Sequence, residues 1–169
     1  MKAKFEYSVN RDRVNYLTPR WITDALGPFD MDVAASAERP WDIGKICLTG
    51  EHTGGMCGLK TPWKGYVWCN PPFSKRSGEN DFLKKMAAHN NGVALVNVKT
   101  ATVLWQEIIF PNAASILFLR KRISFLDVSG NSTGGTFGNQ CLIAFGKRGQ
   151  KALKALASHG HLQDINHGN

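Results

Sequence analysis

Four consecutive residues, Asn70, Pro71, Pro72 and Phe73, follow the apolar run 65–69 and have the chemistry to hold a planar amine. Proline has no N–H and a fixed φ, so the Pro71 carbonyl cannot join a helical turn and is free to point into a cleft. The Asn70 side chain adds a second carbonyl acceptor. Two acceptors on one NH2 group favour a nitrogen lone pair poised for attack, while Phe73 can stack on the attached ring. The exocyclic amine of a nucleobase fits this description; the alternative is a plain turn after a strand.

A second group of candidate residues lies in the segment 29–36, FDMDVAAS, which alternates apolar and acidic residues as a strand does. Small side chains after a strand, here Ala34, Ala35 and Ser36, let a ligand approach the backbone closely. Asp32 can accept hydrogen bonds from a ribose or an amine, or it can simply cap the following turn. The pattern predicts a ligand site at a strand end, with capping as the alternative for Asp32.

The segment Thr18-Pro19-Arg20 has the pattern of a helix start, with Thr18 as N-cap and Pro19 as the first helical residue. The helix is expected to run to Leu26. Ordinary capping is the alternative to a ligand-binding role for this pair.

The remaining elements predict one α/β domain in which strands and helices alternate. Residues 1–15 are expected to form an arm, 16–148 the domain, and 149–169 a C-terminal helix with a polar tail. A Gly-, Ser- and Thr-rich stretch between Ser129 and Gln140 indicates either a loop that orders over a ligand or a long hairpin connection. The predicted helices span 79–90, 103–110 and 151–158, and the predicted strands span 65–69, 93–98, 113–119 and 141–145.

In this order, TPRWITDAL, FDMDVAAS and VWCNPPF make the chain resemble the phage-type DNA N6-adenine methyltransferases, often called the phage Dam family. The resemblance runs from about Tyr16 to Phe145. It implies a single-domain, Rossmann-like methyltransferase fold, with a mostly parallel seven-stranded sheet and helices on both faces. It also implies transfer of a methyl group from S-adenosylmethionine to N6 of adenine in double-stranded DNA, with the adenine flipped out of the duplex.

The resemblance assigns roles to residues by position. Asn70, Pro71, Pro72 and Phe73 match the catalytic motif, whose last residue is usually Tyr, so Phe73 keeps the ring and loses the hydroxyl. The cofactor positions of the family are matched by Thr18, Pro19, Asp32, Ala34, Ala35 and Ser36.

One position departs from the family pattern. Cys57 precedes Gly58 and Leu59 where the family often has an acidic residue, which puts the adenosine contact in question. Together with Phe73 in place of Tyr, this departure leaves open a DNA-binding module of the same fold without catalysis. A methyltransferase that acts on RNA adenine or on protein glutamine also stays open, because Asn-Pro-Pro-aromatic motifs serve those enzymes too.

Composition favours a polyanionic partner. Lys and Arg number 21 against 13 Asp and Glu, which gives a formal net charge of +8. Two basic clusters follow strand-like segments: Lys75 with Arg76, and Arg120 and Arg122 around Lys121. We expect phosphate contacts from these clusters, and a solvated surface patch is the alternative.

Several other classes of protein are disfavoured. No run approaches the ~20 apolar residues of a membrane span, and the first residues do not form a signal peptide, so a cytoplasmic protein is expected. The four cysteines are far apart without a CxxC pair, which favours free thiols. His159, His161 and His167 fall in the polar tail, where a solvated or disordered segment is expected, and we predict no metal.

Overall fold

A computed structural model describes residues 16–50, 54–72, 78–134 and 138–165, and within these ranges seven strands form one sheet. The strands are β1 Phe29–Asp32, β2 Gly44–Cys47, β3 Val67–Cys69, β4 Gly92–Asn97, β5 Ser115–Leu119, β6 Gln140–Phe145 and β7 Gly160–Asp164. Their order across the sheet is β2-β1-β3-β4-β6-β5-β7.

The sheet is mixed, so the expectation of a mostly parallel sheet is wrong. The pairs β1 with β2, β1 with β3, and β3 with β4 are parallel, whereas β4 with β6, β5 with β6, and β5 with β7 are antiparallel. The physical reason lies in the connection between β5 and β6. Parallel neighbours need a crossover, usually a helix, whereas the irregular stretch before β6 allows the chain to return directly as an antiparallel neighbour.

Helical segments cover both faces of the sheet, as expected. On one face, α2 packs with a π-helical segment; on the other, α1 packs with α4 and the 3₁₀ segment that follows it. These elements are α1 Arg20–Leu26, α2 Glu79–His89, the π-helical segment Leu104–Ile109, α3 Phe110–Asn112, α4 Gly146–Leu153 and the 3₁₀ segment Lys154–His159.

Strand β4 shows how the sequence produces two cores. All of its residues from Val93 to Val96 are buried, as in a strand that is covered on both sides. Val93 and Leu95 join the cluster beneath α1 and α4, and Ala94 and Val96 join the cluster beneath α2. Alternate side chains of a strand point to opposite faces, so a short apolar run supplies both layers.

Three element predictions differ from the structure. Pro111 does not stop the helix before it, because the chain continues as α3 with the proline in its first turn, where no backbone N–H is required. The last helix begins at Gly146 rather than Lys151. Strand β7 occupies part of the expected polar tail and contains His161, with exposed side chains that hide its strand character.

Candidate active site

The direction of the strand order reverses between β1 and β3. From β1 the chain goes to β2 on one side, and from β2 it crosses to β3 on the other side of β1. Such a reversal leaves a crevice outside the carboxyl ends of the two strands, which is where α/β sheets bind ligands. Asp32 is the last residue of β1, and Asn70 directly follows β3. The fold therefore places the two predicted site residues on the two sides of one crevice.

The Asn70 side chain is anchored through its amide nitrogen. Nδ2 lies 3.3 Å from the hydroxyl oxygen of Thr18 and 3.5 Å from the carbonyl oxygen of Tyr16. A carbonyl oxygen can only accept, so the NH2 group, rather than Oδ1, must face Tyr16. The segment before α1 thus fixes which way the amide points.

The amide oxygen of Asn70 is left without a donor. Oδ1 is buried, and no donor among the described residues lies within hydrogen-bonding distance of it. Leaving a buried acceptor unpaired costs about 1–3 kcal/mol, so such atoms are uncommon in native proteins and call for an explanation. An N–H group from a bound ligand would satisfy this oxygen.

Asp32 is buried and only partly satisfied by the protein. Its side chain is 4% exposed, and Oδ1 accepts the Ala34 N–H at 3.2 Å. Burial raises the pKa of Asp32 to about 7, against the opposing effects of that N–H and of the Arg39 charge. Asp32 therefore caps the turn after β1, as the alternative to a ligand site predicts. It also has a strongly raised pKa, which is common among carboxyl groups at functional sites.

The small residues after β1 form a tight turn at the same edge. The Ala35 N–H donates to the Leu48 carbonyl at 3.1 Å, and the Ser36 hydroxyl donates to the Glu38 carbonyl at 2.7 Å. Ala35 is buried, and Ala34 and Ser36 are half-buried. The turn therefore presents little side-chain bulk beside Asp32, as the sequence predicts.

A loop that contains Cys57 packs against the end of β1. A Cβ at Gly58 would overlap the Val33 carbonyl oxygen, so only glycine allows this close approach. Cys57, the residue that departs from the family pattern, is half-buried next to it. Cys57 therefore lies close to the end of β1.

Lys85 of α2 holds this loop in place. Its ammonium donates to the carbonyls of Gly58, Leu59 and Thr61 at 2.9, 2.8 and 2.6 Å, and it lies 5.0 Å from the centre of the Trp63 ring. Desolvation lowers the pKa of Lys85, and the nearby Cys57 thiol opposes that change. No pattern in the sequence distinguishes Lys85 from its neighbour Lys84, so sequence reasoning missed this role.

Thr18 and Pro19 are positioned differently from the prediction. Helix α1 begins at Arg20, Pro19 takes the N-cap position, and Thr18 makes no capping hydrogen bond. The Thr18 hydroxyl instead faces Asn70 and is 1% exposed. The prediction of Thr18 as N-cap is wrong because the fixed φ of Pro19 is used one position before the helix, and this frees the threonine to contact Asn70.

Of the other predicted residues between 71 and 76, the structure describes only the two prolines. Pro71 is buried and Pro72 is exposed. Phe73, Lys75 and Arg76 lie outside the described residues, so their roles stay predictions.

Arg120 and Arg122 follow β5 and are exposed. Strand β5 runs antiparallel to β6, which runs antiparallel to β4, so β5 ends at the same edge as β1, β3 and β4. The structure therefore places this basic cluster on the edge that carries Asp32 and Asn70.

The described residues contain neither a cluster of metal-ligating side chains nor a helix that could cross a membrane. No group of three or more His, Cys, Asp or Glu side chains among them is arranged to hold a metal ion. Within the same residues, no helix combines the length and apolar character that a membrane crossing requires.

The described residues form an α/β protein with a mixed seven-stranded sheet, and Asp32 and Asn70 lie at the edge where the strand order reverses. Residues 8–167 match the model of the DNA N-6-adenine-methyltransferase (Dam) family, and the chain belongs to that family. It is similar to the DNA N-6-adenine-methyltransferase of Escherichia phage T1, with 29% identity over 130 residues, or 74% of this chain. The match spans 48% of the phage T1 protein, about half its length. No solved structure matches the chain.

Proposed function

We propose that this protein transfers a methyl group from S-adenosylmethionine to N6 of an adenine in double-stranded DNA, and that the adenine is flipped into the crevice beside Asn70. Family membership and the similarity to the phage T1 protein support the class of reaction. The geometry of the crevice supports the assignment of residues to roles.

The observation that carries the proposal is the unpaired Oδ1 of Asn70. Its amide nitrogen is held by Thr18 and Tyr16, and its oxygen has no donor among the described residues. An adenine N6 has two N–H groups, and one of them would satisfy this oxygen. The Pro71 carbonyl is proposed to accept the other, and Phe73 to stack on the purine ring.

The residues at the end of β1 fit the cofactor. Asp32 offers a buried carboxylate for hydrogen-bond donors, and the turn of Ala34, Ala35 and Ser36 leaves room for close approach. Thr18 and Pro19 would border the methionine part of the cofactor. S-adenosylmethionine, when bound, supplies an electrophilic methyl group on a positively charged sulfur.

The proposed reaction requires alignment more than proton abstraction. With the cofactor held at the end of β1, the N6 lone pair would form the bond to the methyl carbon, and the electron pair of the broken carbon–sulfur bond would stay on sulfur. N6 then loses one proton to solvent. Asn70 and Pro71 stabilise the positive charge that develops on N6, because both present oxygen acceptors placed before the reaction.

The test is incubation with labelled S-adenosylmethionine and DNA, followed by nucleoside analysis. We expect N6-methyladenine with the native protein, and a large loss of it with Asn70→Ala. Asn70→Asp keeps an acceptor oxygen and loses the amide donors, so we expect partial activity. Asn112→Ala removes an exposed asparagine that bonds only the Ile108 carbonyl and is the matched control.

Calorimetry with S-adenosylmethionine separates this proposal from a DNA-binding module without catalysis. Cofactor binding by both the native protein and Asn70→Ala is the expected result. Absence of binding heat in the native protein, or unchanged methyl transfer in a folded Asn70→Ala, would contradict the proposal. Methylation of RNA or of protein glutamine, in place of DNA, would support the alternative substrates.

A further inference from the structure

A groove of about 620 Å³ lies next to the crevice and is strongly basic. Three segments line it: the start of α1, the stretch after β5, and the end of the 3₁₀ segment. Arg120, Lys121 and Arg122 all contribute, and no acidic side chain among the described residues lines the groove. Their charged groups form no ion pair within the part of the chain that the structure describes, so they remain available to an anion.

The groove also contains an exposed aromatic pair. The Trp21 ring stacks on His159 with centroids 4.6 Å apart and an interplanar angle of 27°. Trp21 nevertheless stays 44% exposed, and it is the one aromatic residue among the exposed large apolar side chains of the described residues. The buried side of α1 is formed by Ile22, Thr23 and Leu26, so packing of the helix does not require Trp21.

The chain holds this groove rigidly beside the catalytic motif. Leu17 and Leu126 exchange two backbone hydrogen bonds of 2.9 Å, and the Arg120 N–H donates to the His159 carbonyl at 2.9 Å. Thr18, which contacts Asn70, is only three residues from Trp21. One short segment therefore borders both the crevice and the groove.

A basic groove that contains an exposed indole, here Trp21 held by stacking on His159, has the features of a surface that binds single-stranded nucleic acid. Aromatic rings stack on bases of any sequence, and basic side chains follow the phosphates. A volume of about 620 Å³ is within the range of pockets that hold a small ligand such as one nucleotide. Surface packing of Trp21 on His159 explains why the two rings stack. It does not explain why Trp21 stays exposed, or why three consecutive basic residues line the same groove without an ion pair among the described residues.

We propose that this groove binds an unpaired nucleobase of the DNA, adjacent to the target adenine, by stacking on Trp21, with the neighbouring phosphates on Arg120 and Arg122. The position relative to the target rests on the proposed function. Binding of an unpaired strand does not, because it needs neither an adenine nor the cofactor.

The experiment uses two single-stranded probes of equal length without adenine: oligothymidylate and an abasic oligomer that has the same phosphates. We expect oligothymidylate to quench tryptophan fluorescence, and the difference between the native protein and Trp21→Phe to identify Trp21 as the source. Trp41→Phe is the matched control, because Trp41 does not line the groove. The abasic oligomer should bind more weakly and leave Trp21 unquenched.

Two sets of variants measure stacking and phosphate contact separately. Trp21→Ala should weaken oligothymidylate binding about 5-fold or more and leave abasic binding unchanged, while Trp21→Phe keeps most of the affinity. Arg120→Ser with Arg122→Ser should weaken both probes and lower the salt slope of log K by about 1.4. Lys147→Ser with Lys151→Ser removes equal charge from exposed positions of α4 and should have a smaller effect.

Failure of this inference is distinguishable from failure of the proposed function. If a folded Trp21→Ala binds oligothymidylate as the native protein does, or loses affinity equally for both probes, the groove does not stack a base. If native protein and Trp21→Ala differ as expected but no DNA becomes methylated, the groove assignment holds and the proposed activity does not.

Discussion

Replacing Thr18 by Val tests whether the hydrogen bond from Asn70 to the Thr18 hydroxyl sets the rate of the proposed methyl transfer. Thr18 is 1% exposed, and its hydroxyl lies 3.3 Å from the Asn70 Nδ2. Valine has nearly the same volume but no acceptor. The amide would then keep only the Tyr16 carbonyl, at 3.5 Å, and could rotate away from the position that presents Oδ1 to a ligand.

The magnitude follows from the geometry of this bond. A bond of 3.3 Å is at the long end for N–H···O, so its net contribution should be near 1 kcal/mol, which corresponds to a loss of about 5-fold in rate. The loss should appear in the single-turnover rate at saturating cofactor and DNA. The Thr18 hydroxyl orients the Asn70 amide and is not proposed to bind the DNA, so saturation should not restore the rate. Thr18→Ser restores the hydroxyl and should recover most of the rate.

A control is provided by Thr23 on helix α1, which begins two residues after Thr18. Thr23→Val removes a buried hydroxyl that bonds the Arg20 carbonyl at 3.4 Å, and it should change thermal stability without changing the single-turnover rate. If Thr18→Val transfers methyl groups at the native rate, or if its rate loss matches that of Thr23→Val, the anchoring role is refuted.

Two further predictions concern the walls of the crevice. Burial raises the pKa of Asp32 to about 7, so between about pH 4 and pH 7 the folded state holds a proton that the unfolded state loses. The free energy of unfolding should therefore fall as pH rises through this range. Urea unfolding measured across the same range should show a flatter pH dependence for Asp32→Asn. Lys85→Met removes the ammonium donor from the carbonyls of Leu59 and Thr61, while the Gly58 carbonyl keeps the Trp63 indole N–H at 2.7 Å. The variant should lower the free energy of unfolding by about 2 kcal/mol, whereas the exposed Lys84→Met should change it by less than about 0.5 kcal/mol. Equal effects of the two variants would argue against this role of Lys85.

The sequence predicted the elements that carry the site because their signals are local. Helix 79–90, a strand in the segment 29–36 and the buried strand 93–98 were predicted from periodicity and turn residues, and the structure has them as α2, β1 and β4. The placement of Asp32 and of the residue after β3 at one edge follows from the alternation of strands with connections that return to the same edge. Order along the chain was therefore enough to locate the crevice.

Contacts between distant segments could not be predicted in this way. Nothing in the local pattern around Thr18 indicates that its hydroxyl meets Asn70, 52 residues further along the chain. The antiparallel position of β6 depends on how the chain returns from β5, and β7 has exposed polar side chains that hide a strand signal. These features arise from tertiary packing, which overrides short-range propensity at the sheet edge.

The two halves of the sheet contribute different chemistry to one edge. The strands of the parallel half end at the buried Asp32 and at Asn70, and β5 of the antiparallel half ends at Arg120 in the basic groove. The parallel half alone would lack the basic groove, because Arg120 follows β5 of the antiparallel half. Because the segment from Tyr16 to Trp21 contacts both, the mixed sheet places the unpaired oxygen of Asn70 and a basic groove next to each other, as the proposed binding of an adenine and of its DNA strand requires.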